Sequence, residues 1–514
     1  MRAKGSLVLV LAVAVAVTVT LPAFGADWLA YRNGPERRNA TAEAFATPLS
    51  LVWKFTTAAS SQRVPPAVTA DRVFCAAGSY VYCLDVATGA GLWSYDAGDT
   101  ILAAPAFADG RVFLGADNTK VVCLNADDGK EIWAVTAARA IRAAPVVVDG
   151  VVYATSLDRR AMAIDAATGA RRWSTQLTDE LWGAPAVSGG FVFVPTADAQ
   201  LFALDTDDGK IRRQITMPRR KALIHPVVVT DDALYVAGRS DVTALNRRGT
   251  ERWAVDFNTF LTGAPAVAHG RLYISLVDGR VLALDVEKGK TLWEFPFNTL
   301  MSTPPTVVGD VVIVGAVGGM VYALDAATGL PRWRYLARPP GLAAGTKADF
   351  DLAAPAVYSN GSLYLVWDDG NLARFDANWP DISPPTIRLL TPRENMVTGI
   401  TLPKLVGAQV FDEQSGLDLA DLAMSLDDAP VEAEYDPYSG HYTYTIDDQS
   451  AFAPLKSGWH ALSVTARDQR GNETTRQWRF FAQPGGEAAE ETETAQPAPA
   501  EPIAPPETGA APGL

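Results

Sequence analysis

At 514 residues the chain exceeds one ordinary domain, so two or more units are expected. With 48% apolar and 20% charged residues it falls in the globular class and can fill a core. A net charge of −14 excludes general nucleic-acid binding, which needs a strong basic stripe, and suits a soluble protein held apart from its neighbours by self-repulsion.

Residues 1–25 read as a signal peptide. Arg2 and Lys4 precede an unbroken run of apolar residues and Thr from Leu7 to Leu21, then Pro22 and the small residues of Ala23-Phe24-Gly25. The run is shorter than a spanning helix needs, although an uncleaved anchor is the second reading. No Cys follows it, so no lipid anchor is expected. The mature chain is then expected in the periplasm or outside the cell, without a membrane span. Residues 26–50 form a lead-in.

From residue 51 to 380 the chain repeats. Trp53, Trp93, Trp133, Trp173, Trp253, Trp293 and Trp333 fall on one 40-residue grid, with Arg213 at the only empty slot inside it. Ahead of most of them stands an Asp followed by Thr-Gly or Asp-Gly, as in Asp85-Val86-Ala87-Thr88-Gly89 before Trp93. Each repeat opens on Ala-Pro or a close relative, with Pro at 66, 105, 145, 185, 226, 265, 304 and 355. One repeat therefore reads as a four-stranded meander, small residues innermost and the Trp strand outermost, its indole docked on the next repeat. Eight Pro starts imply eight blades, yet the last lacks a Trp strand. Leu51–Phe55 is expected to supply it and close the ring, leaving no free sheet edge. The three cysteines, Cys75, Cys83 and Cys123, have no metal-ligand spacing and read as buried packing, with at least one thiol unpaired within the chain.

This pattern resembles the tryptophan-docking motif of the pyrroloquinoline-quinone (PQQ)-type propellers, the family of quinoprotein and BamB-like propellers, over roughly residues 27–378. Asp27–Pro35 also looks like the lead-in of such propellers. The resemblance implies an all-β, eight-bladed propeller but not its function, since the fold hosts both enzymes and scaffolds.

Past Trp379-Pro380 the grid stops. Short alternating runs over 381–483 predict a β-sandwich, and Ser457–His460 with Val464–Asp468 and Gly471-Asn472 resembles the ending of bacterial immunoglobulin-like domains. Asp412, Glu413, Asp418 and Asp468 are candidate Ca²⁺ ligands at one end of it, against ordinary turn chemistry as the plainer reading. Residues 484–514 hold seven Pro and six Glu without Lys or Arg, a composition expected to stay disordered.

Catalytic chemistry finds little support. The resemblance implies, for a dehydrogenase, vicinal cysteines on the quinone and long roofing loops, and the chain has no adjacent cysteines. His225, His269, His441 and His460 lack ligand spacing, and no nucleophile or phosphate motif occurs. The expectation is a non-catalytic exported scaffold without catalytic or cofactor residues. A PQQ- and Ca²⁺-dependent dehydrogenase of alcohols or sugars is the alternative.

A partner, an envelope protein or peptide, is expected on the loop face. Arg142 and Trp182 occupy equivalent places before their Ala-Pro starts, near the axis, and are favoured anchor types or else a channel plug. Arg219, Arg220 and Lys221 end a stretch from Lys210 with six cations in twelve residues, either an anionic-partner site or a solvated strand. Phe350 and Asp351 close an insertion before Pro355, which follows Pro304 by 51 residues where other repeats take 39–41.

Overall fold

Period-two alternation interrupted by Asp-Gly and Thr-Gly turns makes each repeat a run of short antiparallel strands. The computed structural model describes residues 27–57, 64–217, 222–336, 351–368, 370–392, 397–398, 404–436, 439–447, 450–452 and 455–482. The expected signal peptide, the tail from 484, Arg219, Arg220, Lys221 and Phe350 lie outside these residues.

Within them the chain is all-β. Sheet one runs Ala67–Val68, Arg72–Ala77, Tyr80–Asp85 and Gly91–Asp96, each strand pairing with the next in sequence. Six further meanders of this kind occupy 106–136, 146–176, 186–216, 228–256, 266–296 and 306–336. In sheet eight, Val357–Ser359, Ser362–Val366 and Asn371–Asp376 supply three strands, and Ser50–Thr56 pairs antiparallel with Asn371–Asp376 as the fourth. The N-terminal strand thus completes a sheet begun at the far end of the repeats. This is a propeller.

One contact, repeated, joins sheet to sheet. The Nε1–H of Trp93 donates to the carbonyl of Ala126 at 2.9 Å, and Trp53, Trp133, Trp173, Trp253 and Trp293 each reach the residue 33 positions ahead in the same way. Each of these indoles lies on the turn glycine of the following sheet: Gly89, Gly129, Gly169, Gly209, Gly289 and Gly329 all have positive φ, and a Cβ there would come within 2.8 Å of a ring atom. The glycine is needed twice over, for the turn and for the ring above it. Its turn is fixed by the motif Asp, since the Asp85 carboxylate accepts from Thr88 N and Thr88 Oγ1 at 2.8 and 2.7 Å.

Arg213, in the empty grid slot, fills the same role. Its guanidinium donates to the carbonyl of Arg247 in the next sheet and stacks 5.1 Å from the Phe191 ring. Trp333 departs in the other direction: its Nε1 is buried without a partner among the described residues, and Phe45 of the lead-in packs edge-on against it.

The lead-in is more than an approach to the first strand. Backbone bonds join Trp28 to Val68 in sheet one, Leu29 O to Phe107 N in sheet two, Pro35 O to Val187 N in sheet four, and Glu36 O to Val229 N in sheet five. Arg38 O and Asn39 O accept from Val267 N and Val307 N in sheets six and seven. Arg37 reaches Ala144 O and Pro145 O at the start of sheet three, and Glu43 accepts from Gly361 N of sheet eight. Residues 28–43 therefore wind once around the axis and touch the innermost part of every sheet.

Beyond residue 380, two more sheets share one core. Thr386–Thr391, Leu405–Phe411, Glu434–Asp436 and His441–Thr445 form the first. Val397–Thr398, Leu417–Leu426, Ala429–Val431, Gly458–Asp468 and Glu473–Ala482 form the second. Val406, Ala408 and Val410 of one meet Leu462, Val464, Trp478 and Phe480 of the other. Among the described residues no helix is long and apolar enough to cross a membrane.

Candidate functional site

The axis of the propeller has two unlike ends. At one, the lead-in seals the channel with cations that have no carboxylate partner among the described residues. Arg32 and Arg37 are wholly buried. Arg32 donates to Ala264 O at 2.9 Å, Arg37 O at 3.1 Å and Pro265 O. Arg37 donates to Tyr31 O at 2.7 Å, Pro185 O at 3.0 Å and Ala144 O at 3.1 Å. Five N–H groups in a rigid fork let one side chain satisfy carbonyls from several sheets at once. Burial pulls both guanidiniums down, to about 10 and about 9, so they stay charged at neutral pH. Both residues hold positive φ, 61° and 60°, a conformation the surrounding carbonyls over-determine.

At the other end the strands open into a funnel with a cavity of ≈ 160 Å³, lined by Tyr31, Ala104, Ala144, Ala184, His225 and Pro355 among others. Small residues before each inner strand keep it narrow. His225 is half-buried in that wall, and burial, reinforced by the charge of Arg32, pulls its imidazole down to about 4. It is neutral in the folded protein at neutral pH.

Arg142 and Trp182 meet at the mouth of this funnel. The Arg142 guanidinium lies 5.4 Å from the Trp182 ring centre and holds Asp117 with two bonds, at 2.9 and 2.8 Å. The indole N–H donates to Glu180, which Arg139 also holds. A planar cation and an aromatic ring, locked by carboxylates on either side, form a pre-set platform. Leu102 and Ile224 line the same cavity and are exposed, and Arg239 stacks at 4.6 Å on exposed Phe260 of the loop before sheet six. The mouth thus combines exposed apolar side chains with arginines held by carboxylates.

The remaining sequence candidates separate. Lys210 and Arg212 pair with Asp208 and Asp205 within their own turn, and Arg213 docks between sheets, so half of the basic stretch is engaged locally. Asp351 accepts from Gly318 N at 2.7 Å and fixes a hairpin. All three cysteines are buried, and burial pushes Cys83 and Cys123 up to about 12. Of the four Ca²⁺ candidates, Asp412 and Asp468 converge, and Asp381 joins them. Glu413 and Asp418 do not belong to that group. Glu413 sits one residue past Asp412 with its carbonyl accepting from Tyr335 OH at 2.6 Å, and Asp418 lines an open groove of ≈ 600 Å³ with Arg332 and Trp333.

Sequence reasoning missed the axial role of Arg32, Arg37 and Asn39. The available signal was Arg-Asn-Gly-Pro-Glu-Arg-Arg-Asn at 32–39, dense in residues that tolerate positive φ and in planar donors.

A family model described as outer membrane protein assembly factor BamB matches residues 40–122, 117–222 and 238–378. Comparison with curated proteins finds no match. Among solved structures, BamB from Moraxella catarrhalis is 20% identical at a TM-score of 0.54, covering 64% of this chain and 99% of its own. A europium-containing methanol dehydrogenase is 16% identical at 0.56, with coverages of 66% and 89%. The quinohemoprotein alcohol dehydrogenase of Comamonas testosteroni is 16% identical at 0.57, with 74% and 83%. These likenesses establish the fold.

Proposed function

We propose, from the premise that this chain belongs to the family described as outer membrane protein assembly factor BamB, that it is an exported, non-catalytic propeller that captures a protein or peptide of the cell envelope on its funnel face. The observation that carries this reading is the paired platform of Arg142 and Trp182 in one cavity lining with exposed Leu102 and Ile224. Aromatic and Arg anchors ringed by apolar surface suit an extended peptide or a protein edge.

The axis supports the same reading. Its lower part is filled by Arg32 and Arg37, and the cavity above them, ≈ 160 Å³, is smaller than the roughly 300–1,000 Å³ that small-molecule sites occupy. The quinoprotein dehydrogenase remains the second reading, because propellers of that class are among the structural neighbours. Titration with PQQ and Ca²⁺, followed by absorbance and thermal shift, separates the two. The scaffold reading predicts no saturable quinone binding. Micromolar binding would install the dehydrogenase instead.

A further inference from the structure

We infer that Asp381, Asp412 and Asp468 form a site for one calcium ion at the junction between the propeller and the C-terminal sheets. One oxygen from each lies within 4.8 Å of the other two, and the residues are only 7%, 8% and 1% exposed. Among the described residues, no Lys, Arg or His side chain pairs with any of the three. Uncompensated buried carboxylates at such separations repel strongly, and the low-dielectric surroundings deepen the cost.

The orientation of the oxygens points to a ligand. Asp412 Oδ1 accepts three backbone N–H groups, from Gln414, Ser415 and Gly416 at 3.1, 2.8 and 2.7 Å. Asp468 Oδ1 accepts from Arg470 N and Asn472 N, at 2.8 and 2.9 Å. Asp381 Oδ1 accepts from Ser383 N at 2.9 Å, while its Oδ2 is buried with no hydrogen-bond partner among the described residues. Asp381 and Asp412 are thus each anchored through Oδ1 to their own turns, while Asp468 is held through both oxygens, its Oδ2 accepting from Asn472 Nδ2 at 2.7 Å. Among the described residues Asp381 Oδ2 is the carboxylate oxygen of the three that is buried and unpartnered, and an ion would satisfy it. Ser415 Oγ, in the same turn as Asp412, is a second buried oxygen without a partner.

The donor chemistry selects the ion. Three carboxylates and no nitrogen or sulfur ligand suit a hard cation, and irregular geometry supplied by three separate segments suits Ca²⁺ better than octahedral Mg²⁺. The three segments are the connector after Pro380 and the turns ending Leu405–Phe411 and Gly458–Asp468, one from each C-terminal sheet. Those two turns also dock on the propeller. Gln414 O accepts from Leu51 N at 3.0 Å, Gln469 donates to Arg334 O at 3.2 Å, and Arg470 donates to Ser50 Oγ at 3.0 Å. An ion here ties connector, sheets and propeller together and sets how the C-terminal sheets are held. The site is independent of the funnel and of what binds there.

The test is calorimetric titration of CaCl₂ into the chelator-treated full-length protein, with Asp381→Asn as the decisive variant, since it breaks neither sheet-ending turn. We expect one ion per chain, a higher unfolding temperature with calcium, and at least a tenfold loss of affinity in Asp381→Asn with an unchanged far-UV spectrum. Terbium uptake by equilibrium dialysis, displaced by calcium, gives an independent measure on the unmutated protein. No saturable uptake up to about 10 mM, above the range of weak extracellular modules, overturns the site. So does an Asp381→Asn variant that binds as tightly as the wild type. Equal affinity for magnesium overturns the assignment to calcium.

Discussion

Trp93 lies across the α-carbon of Gly129 so closely that a Cβ there would sit 2.6 Å from the indole, while the ring N–H donates to Ala126 at 2.9 Å. A hydrophobic plate and a polar tether act on one turn, which fixes both the distance and the rotation between neighbouring sheets. Gly129→Ala must displace the ring and hold Ala at a φ near 69°, and we expect a loss of about 2–4 kcal/mol. Gly150, at a similar φ of 71° with nothing within 4 Å, is the control, and Gly150→Ala should cost only about 1 kcal/mol. Denaturant unfolding of the two variants checks the difference. Equal losses would show that conformation alone, without the ring contact, makes the glycine necessary.

Ring closure concentrates in Trp53. Its strand pairs with Asn371–Asp376 of sheet eight and its indole docks on Val86 and Gly89 of sheet one. Trp53→Ala should destabilise by about 3–5 kcal/mol, and deletion of residues 51–55 should abolish cooperative thermal unfolding. A deletion variant that melts in one transition at the parental temperature contradicts the closure.

The axial arginines should tolerate no conservative exchange. Arg37→Lys keeps the charge but cannot span Tyr31, Ala144 and Pro185, and the stranded carbonyls should cost about 3–5 kcal/mol. Chemical denaturation measures it. A loss under about 1 kcal/mol would mean that water replaces the fork.

His225 gives the funnel wall a pH signature. Its folded pKa of about 4 lies below the unfolded value near 6.5, so the unfolded chain binds the extra proton between those limits. Stability from this group is complete above about pH 6.5 and falls as the pH drops towards 4, by roughly 2–3 kcal/mol. His225→Asn should remove that part of the slope and leave the carboxylate contribution. Superimposable stability–pH curves for the two proteins would contradict it.

What the sequence revealed follows from what repeats. The Trp grid, the Thr-Gly turns and the strand at 51–55 were legible because each sheet solves the same packing problem with the same residues. Arg213 was read as a gap, although a guanidinium supplies the same planar donor to the next turn that an indole does. The lead-in was illegible for a different reason. Its bonds go to backbone carbonyls and amides scattered from residue 68 to 361, which impose no pattern on local sequence. Asp381 was likewise hidden, since an Asp in a Pro-rich connector looks like any turn residue until the fold brings Asp412 and Asp468 to it. Arg142 and Trp182 are legible by their equivalent places in the repeat, but their stacking depends on Asp117 from another loop and on Glu180 just before Trp182.

The most direct test of the scaffold role is site-specific photo-crosslinking in intact cells, with a photoreactive amino acid at position 182 on the funnel face or at Leu292 on an outer strand. Capture of a discrete envelope protein from position 182, lost when Arg142 is changed to Ala and absent from position 292, is the predicted result. Equal capture from both positions, or none from 182, would contradict the assignment of the funnel face as the binding surface.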